Sequence, residues 1–257
     1  MARVRAAAGA LAIAALPGSA PSDGTAVDGF RAARFTASNG FKMPYRLFVP
    51  DSARDGQPYP LILYLHGRAG LGTDNLKQIS QGNRPGTHLW TRTDLQEAYP
   101  AIVLAPQVCG DARWSNRESG ELSPSATAAL ELIDTLSARF PVDTERVYLI
   151  GQSMGGHGVW DIIVKRPEIF AAAVPVCGTG SPFRADAARD VPIWAFHGEL
   201  DPNVPVERTR EMVAALRAAG SPVRYTEYAG AGHGIWVRVF AEPELPGWLF
   251  SQKRRAH

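Results

Sequence analysis

Cysteine and net charge are both scarce in this sequence. Only Cys109 and Cys177 are cysteines among 257 residues, too few to form a cysteine-only zinc site. Lysine and arginine (27) nearly balance aspartate and glutamate (25), so the net charge of +2 gives no argument for nucleic acid or an anionic membrane as a partner. No apolar run reaches the length of about 20 residues that spans a bilayer. What remains is a globular composition, 45% hydrophobic and 20% charged, long enough for one α/β domain or two small ones.

The first twenty residues have the pattern of a secretory signal peptide. Arg3 and Arg5 form a basic start, residues 6–16 are small and apolar, and Gly18 and Ala20 suit the positions before a cleavage site. We therefore expect residues 1–20 to be a signal peptide, residues 21–29 a flexible leader, and the protein to be secreted or periplasmic. The alternative is a disordered, alanine-rich start.

The remainder predicts an α/β fold, because strand-like and helix-like segments alternate from Leu61 onwards. This alternation is typical of a mainly parallel sheet with helices on both faces, and residues 30–36 and 43–49 add antiparallel strands at the N-terminal edge. The sequence contains no linker or repeat, so we expect one domain over residues 30–257. Further strands are predicted at 61–65, 101–105, 147–150, 170–176, 191–196 and 223–228, and helices at 93–98, 125–140, 154–165, 206–219 and 244–254.

Ser153 lies in the most informative segment, Gly151-Gln152-Ser153-Met154-Gly155. The segment follows an apolar strand and precedes a helical pattern, which is the context of a nucleophile elbow. Glycines two residues before and after the serine remove the side chains that would clash in so sharp a turn. The sequence therefore predicts that Ser153 is a nucleophile.

A serine nucleophile needs a base and an acid, which in this kind of fold follow it in the order acid, histidine. His157, His197 and His233 follow Ser153, besides the terminal His257. His157 is tied to the elbow helix and His197 ends a strand, so His233, in a glycine-rich loop after the last strand, is the predicted base.

The predicted acid is Asp201, in the loop after the strand that ends near His197. Glu199 is an alternative closer to the strand, and an aspartate before Pro202 is also an ordinary turn starter. For the oxyanion, the backbone N–H of Met154 is one predicted donor. The N–H of Arg68, after the first buried strand, is the second.

Several motifs occur in the order known from one large superfamily. They are Leu65-His66-Gly67, Ala105-Pro106-Gln107, Gly151-Gln152-Ser153-Met154-Gly155-Gly156, Phe196-His197-Gly198-Glu199-Leu200-Asp201, Val204-Pro205-Val206 and Gly232-His233. Together they resemble the α/β-hydrolases. Within that superfamily, they resemble the small esterases and predicted peptidases related to prolyl oligopeptidase catalytic domains, dienelactone hydrolases and polyhydroxybutyrate depolymerases. A dienelactone hydrolase proper has a cysteine nucleophile, so Ser153 argues against that activity.

The resemblance implies a serine hydrolase that cleaves carboxylic esters of small molecules or polymers through an acyl-enzyme. It implies no metal or organic cofactor. From the small net charge we expect no nucleic-acid partner, and we expect no membrane contact once the signal is removed. The alternatives are a prolyl-oligopeptidase-like serine peptidase, a polyester or feruloyl-type esterase, and an inactive hydrolase fold used for binding. Acyl chain, alcohol part and oligomeric state stay open.

Four aromatic side chains are candidates for substrate binding, because they fall in loops at the carboxyl ends of strands. They are Trp114, Trp236, His88 and Trp90. In the usual strand order, the strands before the two cysteines lie roughly 14 Å apart, whereas a disulfide needs Cα atoms within about 7 Å. We therefore expect buried thiols, although pairing through bent loops stays open.

Overall fold

The computed structural model describes residues 26–51, 57–116 and 119–254. Their centre is one eight-stranded sheet in the order β1-β2-β4-β3-β5-β6-β7-β8. Strand β2 pairs antiparallel with both β1 and β4, and all the other pairs are parallel. The predicted mainly parallel sheet with an antiparallel N-terminal edge is confirmed.

The described strands are β1 Arg31–Thr36, β2 Lys42–Phe48, β3 Tyr59–Leu65, β4 Ile102–Pro106, β5 Val142–Gln152, β6 Ala172–Val176, β7 Trp194–Gly198 and β8 Arg224–Tyr228. The described helices are α1 Arg84–His88, α2 Thr93–Ala98, α3 Pro124–Ser137, α4 Met154–Lys165, α5 Glu207–Ala218, α6 Trp236–Val239 and α7 Glu244–Phe250. Short 3-10 turns include Arg68–Gly70, Lys77–Ile79, Gln81–Asn83 and Leu89–Thr91.

Local sequence explains where the helices begin and end. Ser123 caps α3, because its side-chain oxygen accepts a hydrogen bond from the Ala126 N–H, and Pro124 occupies the first turn. Helix α4 stops before Pro167, which cannot continue the backbone hydrogen bonding. The predicted C-terminal helix is shorter than expected, since it ends at Phe250.

Two hydrophobic layers cover the two faces of the sheet. Alternate residues of β3 divide between them: Leu61 and Leu63 face the layer shared with α3, α4 and α5, whereas Ile62 and Tyr64 face the other. That second layer is closed by the segment around Trp90 and by helices α6 and α7. A sheet buried on both faces explains why the sequence of β3 is continuously apolar.

Residues 1–25 contain the predicted signal peptide and lie outside the described residues. The last part of the predicted leader differs from expectation, because Asp28 is held by the domain. Its carboxylate accepts hydrogen bonds from Arg84 (2.6 Å) and His88 (2.9 Å). Among the described residues, none of the helices has the length and hydrophobicity needed to cross a membrane.

Candidate active site

Ser153 occupies a tight turn between β5 and α4. Its backbone has φ 54° and ψ −116°, a conformation that side-chain-bearing residues rarely adopt. The turn is held because the Ser153 N–H donates to the carbonyl of Val176 at 2.8 Å. The strained backbone conformation is therefore that of Ser153, the predicted nucleophile.

Gly155 is the residue that lets the elbow pack against the sheet. A Cβ atom there would collide with the backbone carbonyl of Leu65, far inside van der Waals contact. One at Gly151 would collide with the carbonyl of Gly155. Both glycines of the motif are thus required by close approach of backbones.

The structure brings His233 to Ser153, although 80 residues separate them. Ser153 Oγ and His233 Nε2 are 2.8 Å apart, and His233 Nδ1 lies 2.6 Å from Asp201 Oδ2. The Trp236 ring packs nearly perpendicular to the imidazole, with ring centroids 5.3 Å apart. Ser153, His233 and Asp201 therefore form one continuous hydrogen-bonded chain.

Asp201 is a buried carboxylate three residues beyond the end of β7. Its Oδ1 accepts from the N–H groups of Asn203 (2.8 Å) and Val204 (2.9 Å). Burial alone would raise its pKa, but the bonds from His233 and from these two N–H groups lower the pKa below its ordinary value. The alternative acid, Glu199, is exposed and accepts instead from the Gly230 N–H.

The two other histidines have different surroundings. His197 is fully buried, with Nδ1 2.8 Å from Thr209 Oγ1 and Nε2 2.9 Å from the carbonyl oxygen of Val204. Its Nε2 also lies 3.2 Å from Asp201 Oδ2, so His197 helps to fix the position of that carboxylate. Burial lowers the pKa of His197, which favours the neutral ring.

His157 lines the cavity, and its Nδ1 accepts from the Thr179 N–H at 2.7 Å.

Arg68 and Met154, the predicted oxyanion donors, both line the cavity around Ser153. Each is the first residue of a helical segment: Arg68 begins the 3-10 turn Arg68–Gly70, and Met154 begins α4. The first N–H groups of a helix have no partner within it, so they suit an anion.

Of the four predicted substrate-binding aromatics, only Trp236 is among the residues that line this cavity. Trp90 is 1% exposed and packs against Phe250 in the core. Trp114 is fully buried, and its indole N–H donates to the His66 carbonyl at 3.1 Å. His88 is bound to Asp28. The placement of these three in the substrate pocket is therefore corrected. Trp90 and Trp114 are in the core, because large apolar rings favour burial, and His88 is turned to Asp28.

The cavity has a volume of about 1120 Å³, and polar residues that the sequence reasoning missed form much of its wall. They are Arg113, Ser115, Asn116 and Asn203. Asn203 falls beside Asp201, so proximity to a predicted acid was a usable signal. The other three belong to a long segment after β4 with no periodic pattern, which gives no sign of orientation.

Both cysteines are free thiols. Their strands, β4 and β6, are separated by β3 and β5, as the usual strand order predicts. Cys177 is buried behind the site and donates to the His233 carbonyl at 3.5 Å, and burial, together with the charge of Asp201, raises its pKa.

In the described part of the chain, Cys177, Asp201 and His233 form the one group of three possible metal ligands, with their ligand atoms within 4.8 Å of one another. Asp201 and His233 are already joined by a hydrogen bond, which suits a catalytic pair.

An elbow serine followed by an acid and a histidine, each at the carboxyl edge of this sheet, defines the α/β-hydrolase class. Within that class, residues 97–244 match the model of the dienelactone hydrolase family. The chain belongs to that family.

Three proteins similar to this chain are named as esterases. The crystal structure of a thermostable esterase superposes with a TM-score of 0.84 at 39% identity, over 88% of this chain and 64% of that one. A bifunctional acetylxylan esterase/xylanase from Neocallimastix patriciarum is 30% identical over 143 residues, 55% of this chain and 19% of its own length. Feruloyl esterase D from Neurospora crassa is 25% identical over 181 residues, 69% of this chain and 59% of its own. The chain thus spans less than two thirds of each of these relatives.

Proposed function

We propose that the protein is a serine carboxylic ester hydrolase with Ser153 as nucleophile, His233 as general base and acid, and Asp201 as the group that orients His233. The observation that carries this proposal is the hydrogen-bonded chain Ser153–His233–Asp201 at 2.8 and 2.6 Å. Membership of an esterase-containing family supports it.

In the first half-reaction, Ser153 Oγ attacks the carbonyl carbon of the ester while its proton moves to His233 Nε2. The bond between that carbon and the alcohol oxygen then breaks. The imidazolium gives its proton to the departing oxygen, so an alcohol leaves and the acyl group stays on Ser153.

In the second half-reaction, water attacks the acyl-enzyme and His233 accepts one of its protons. The bond from the acyl carbon to Ser153 Oγ breaks, the proton returns to Oγ, and a carboxylic acid is released. Asp201 keeps hydrogen on His233 Nδ1, which leaves Nε2 free to accept the proton of Ser153.

During both steps, negative charge develops on the former carbonyl oxygen. We assign its stabilisation to the backbone N–H groups of Met154 and Arg68, which begin two helical segments at the cavity wall. One such donor typically contributes about 10²–10³ in rate.

Small-molecule or polymer-linked esters are the proposed substrates. A cavity of about 1120 Å³ with many polar residues has room for a larger acyl or alcohol group than acetate. Relatives named as acetylxylan and feruloyl esterases make acetyl and feruloyl esters the first compounds to test. A panel of these esters against short peptide amides would separate an esterase from a peptidase.

The decisive test is Ser153→Ala, with Ser115→Ala, another serine of the cavity wall, as the matched control. Loss of the nucleophile is expected to lower kcat for p-nitrophenyl acetate by about 10⁶-fold. A fluorophosphonate probe should label the wild type and the control but not Ser153→Ala. Wild-type turnover by Ser153→Ala would refute the proposal, and a wild-type protein that resists the probe would indicate an inactive binding protein.

We also propose that residues 1–20 direct export, so that the protein acts outside the cytoplasm. Expression of the full sequence in a bacterium, followed by N-terminal sequencing of the exported protein, tests this. A mature protein that begins near residue 21 is expected, whereas an uncleaved protein retained in the cytoplasm would contradict the proposal.

A further inference from the structure

The peptide group between Gly67 and Arg68 is held from several sides by buried groups. This group contains the Gly67 carbonyl and the Arg68 N–H, the second proposed oxyanion donor. Because a trans peptide is planar, its C=O and N–H point in opposite directions. Whatever fixes the Gly67 carbonyl therefore fixes the direction of the Arg68 N–H.

Two donors hold that carbonyl. The Gly70 N–H donates to it at 2.8 Å, and His66 Nδ1 lies 2.7 Å from it. His66 Nε2 accepts from the Val108 N–H at 3.1 Å, and burial lowers the pKa of His66 to about 4. At neutral pH the ring is therefore uncharged with its hydrogen on Nδ1, which donates to Gly67.

Asn83 holds Gly67 through its backbone N–H group. Its Oδ1 accepts from the Gly67 N–H at 2.9 Å, while its Nδ2 donates to the Lys77 carbonyl at 3.0 Å. The Asn83 side chain is fully buried, so leaving its amide unpaired would be costly. Asn83 therefore ties Gly67 to the segment 77–83.

The same segment is tied to the nucleophile. Gln152, the residue before Ser153, donates from Nε2 to the Gly82 carbonyl at 2.9 Å. Its Oε1 accepts from the Tyr64 hydroxyl at 2.7 Å, which fixes the orientation of the amide. The dipeptide Gly82-Asn83 thus bridges the two sides of the oxyanion site: Gly82 contacts the elbow, and Asn83 contacts the loop that carries Arg68.

We propose that Asn83 is a positioning residue of the oxyanion hole, which together with Gln152 sets the separation between the Arg68 and Met154 N–H groups. This inference rests on the proposed esterase function. Asn83 does not need to contact the substrate, because it acts through the Gly67 backbone. Its removal should weaken binding of the tetrahedral transition state more than binding of the ester.

The test is Asn83→Ala, with Gln96→Ala as the matched control. Gln96 is also an amide that binds the backbone, at the carbonyls of Trp90 and Ala101, but it lies on α2 outside the site. The readouts are kcat and KM for p-nitrophenyl acetate and the inhibition constant of phenylboronic acid, which forms a tetrahedral adduct with an active serine. Thermal unfolding checks that each variant is folded.

For Asn83→Ala we expect kcat to fall about tenfold with KM nearly unchanged, less than the loss of a whole donor. The phenylboronic acid constant should rise by a similar factor, and Gln96→Ala should change neither. If Asn83→Ala does not fold, Gln152→Leu should show the same pattern, since it releases Gly82 from the elbow.

Unchanged kcat in Asn83→Ala, or a fall in kcat without weaker boronate binding, would overturn the inference. Gln152→Leu with wild-type kinetics would do the same. These failures are distinct from failure of the proposed function, because Ser153→Ala would still be inactive.

Discussion

The two halves of the cavity are built differently. The catalytic half consists of the short loops after β5, β7 and β8, where Ser153, Asp201 and His233 each lie within a few residues of a strand end. The loop half consists of the long segments after β3 and β4, residues 66–101 and 107–116. Backbone geometry at strand ends positions the first half, whereas buried side-chain amides such as Asn83 hold the second. The chemistry is therefore placed by the sheet itself, and the remaining wall depends on contacts distant in sequence.

Asp201→Asn should produce the largest effect within the catalytic half after loss of the nucleophile. The amide can donate to His233 Nδ1 and so stabilise the wrong tautomer, which lowers kcat by about 10⁴-fold in a comparable triad. Kinetics with p-nitrophenyl acetate measure the loss. Glu199→Gln is the control, since Glu199 is exposed and bound to Gly230. If Glu199→Gln were the slower variant, the acid would have been misassigned.

Gly155→Ala and Gly82→Ala each add one methyl group, the first in the catalytic half of the cavity and the second in the loop half. The methyl group at position 155 meets the Leu65 carbonyl, while at position 82 the nearest atom is 3.5 Å away on Trp236. We expect Gly155→Ala to lower the free energy of unfolding by about 1–3 kcal/mol or more, and to reduce activity. Gly82→Ala should stay within about 0.5 kcal/mol of wild type. Denaturant unfolding of both variants decides it, and equal tolerance would mean that the elbow is less tightly packed than described.

Trp90→Ala and Trp236→Ala separate a core aromatic from a cavity aromatic. Trp90 is 1% exposed, so its truncation should cost about 3–5 kcal/mol of unfolding free energy. Trp236 lines the cavity against His233, so its truncation should chiefly alter KM and kcat for bulky esters. If Trp90→Ala changed substrate preference without loss of stability, its assignment to the core would be wrong.

The smallest expected effect is a pH dependence of stability. The pKa of Asp201 is lower in the folded protein than its ordinary value, so the folded state binds this proton less readily than the unfolded chain. Its stabilising contribution is present above the unfolded pKa, about 3.9, and is lost as pH falls through the folded pKa. Between pH 7 and pH 3, the free energy of unfolding should therefore fall more in the wild type than in Asp201→Asn. Unfolding curves of both proteins at the two pH values measure this difference. An equal loss would show that Asp201 is not the group responsible.

The quality of the sequence-based prediction follows the same division. The sheet class and the positions of Ser153 and His233 were accessible, because each depends on a strand and a loop of a few residues. Asp201 was the predicted acid, but Glu199 stayed open as the alternative. The interpretation of Trp90 and Trp114 as pocket residues was wrong. An aromatic residue in a long segment can lie on the surface or under it, and hydrophobicity favours the latter. Asn83 gave no signal, since a single asparagine in a polar segment is indistinguishable from a turn residue.

The sequence by itself determined the α/β architecture, the elbow around Ser153 and the order in which acid and histidine follow it. Local rules suffice for the first two, because apolar periodicity sets strands and helices, and glycine alone permits so close a turn. The order of acid and histidine follows the known order of a triad in this kind of fold. Only the tertiary structure decided that Asp201 rather than Glu199 meets His233, which residues line the cavity, and that Gly82-Asn83 bridges the elbow and the Arg68 loop. Those outcomes depend on hydrogen bonds between residues tens of positions apart, and burial makes such bonds costly to leave unmade.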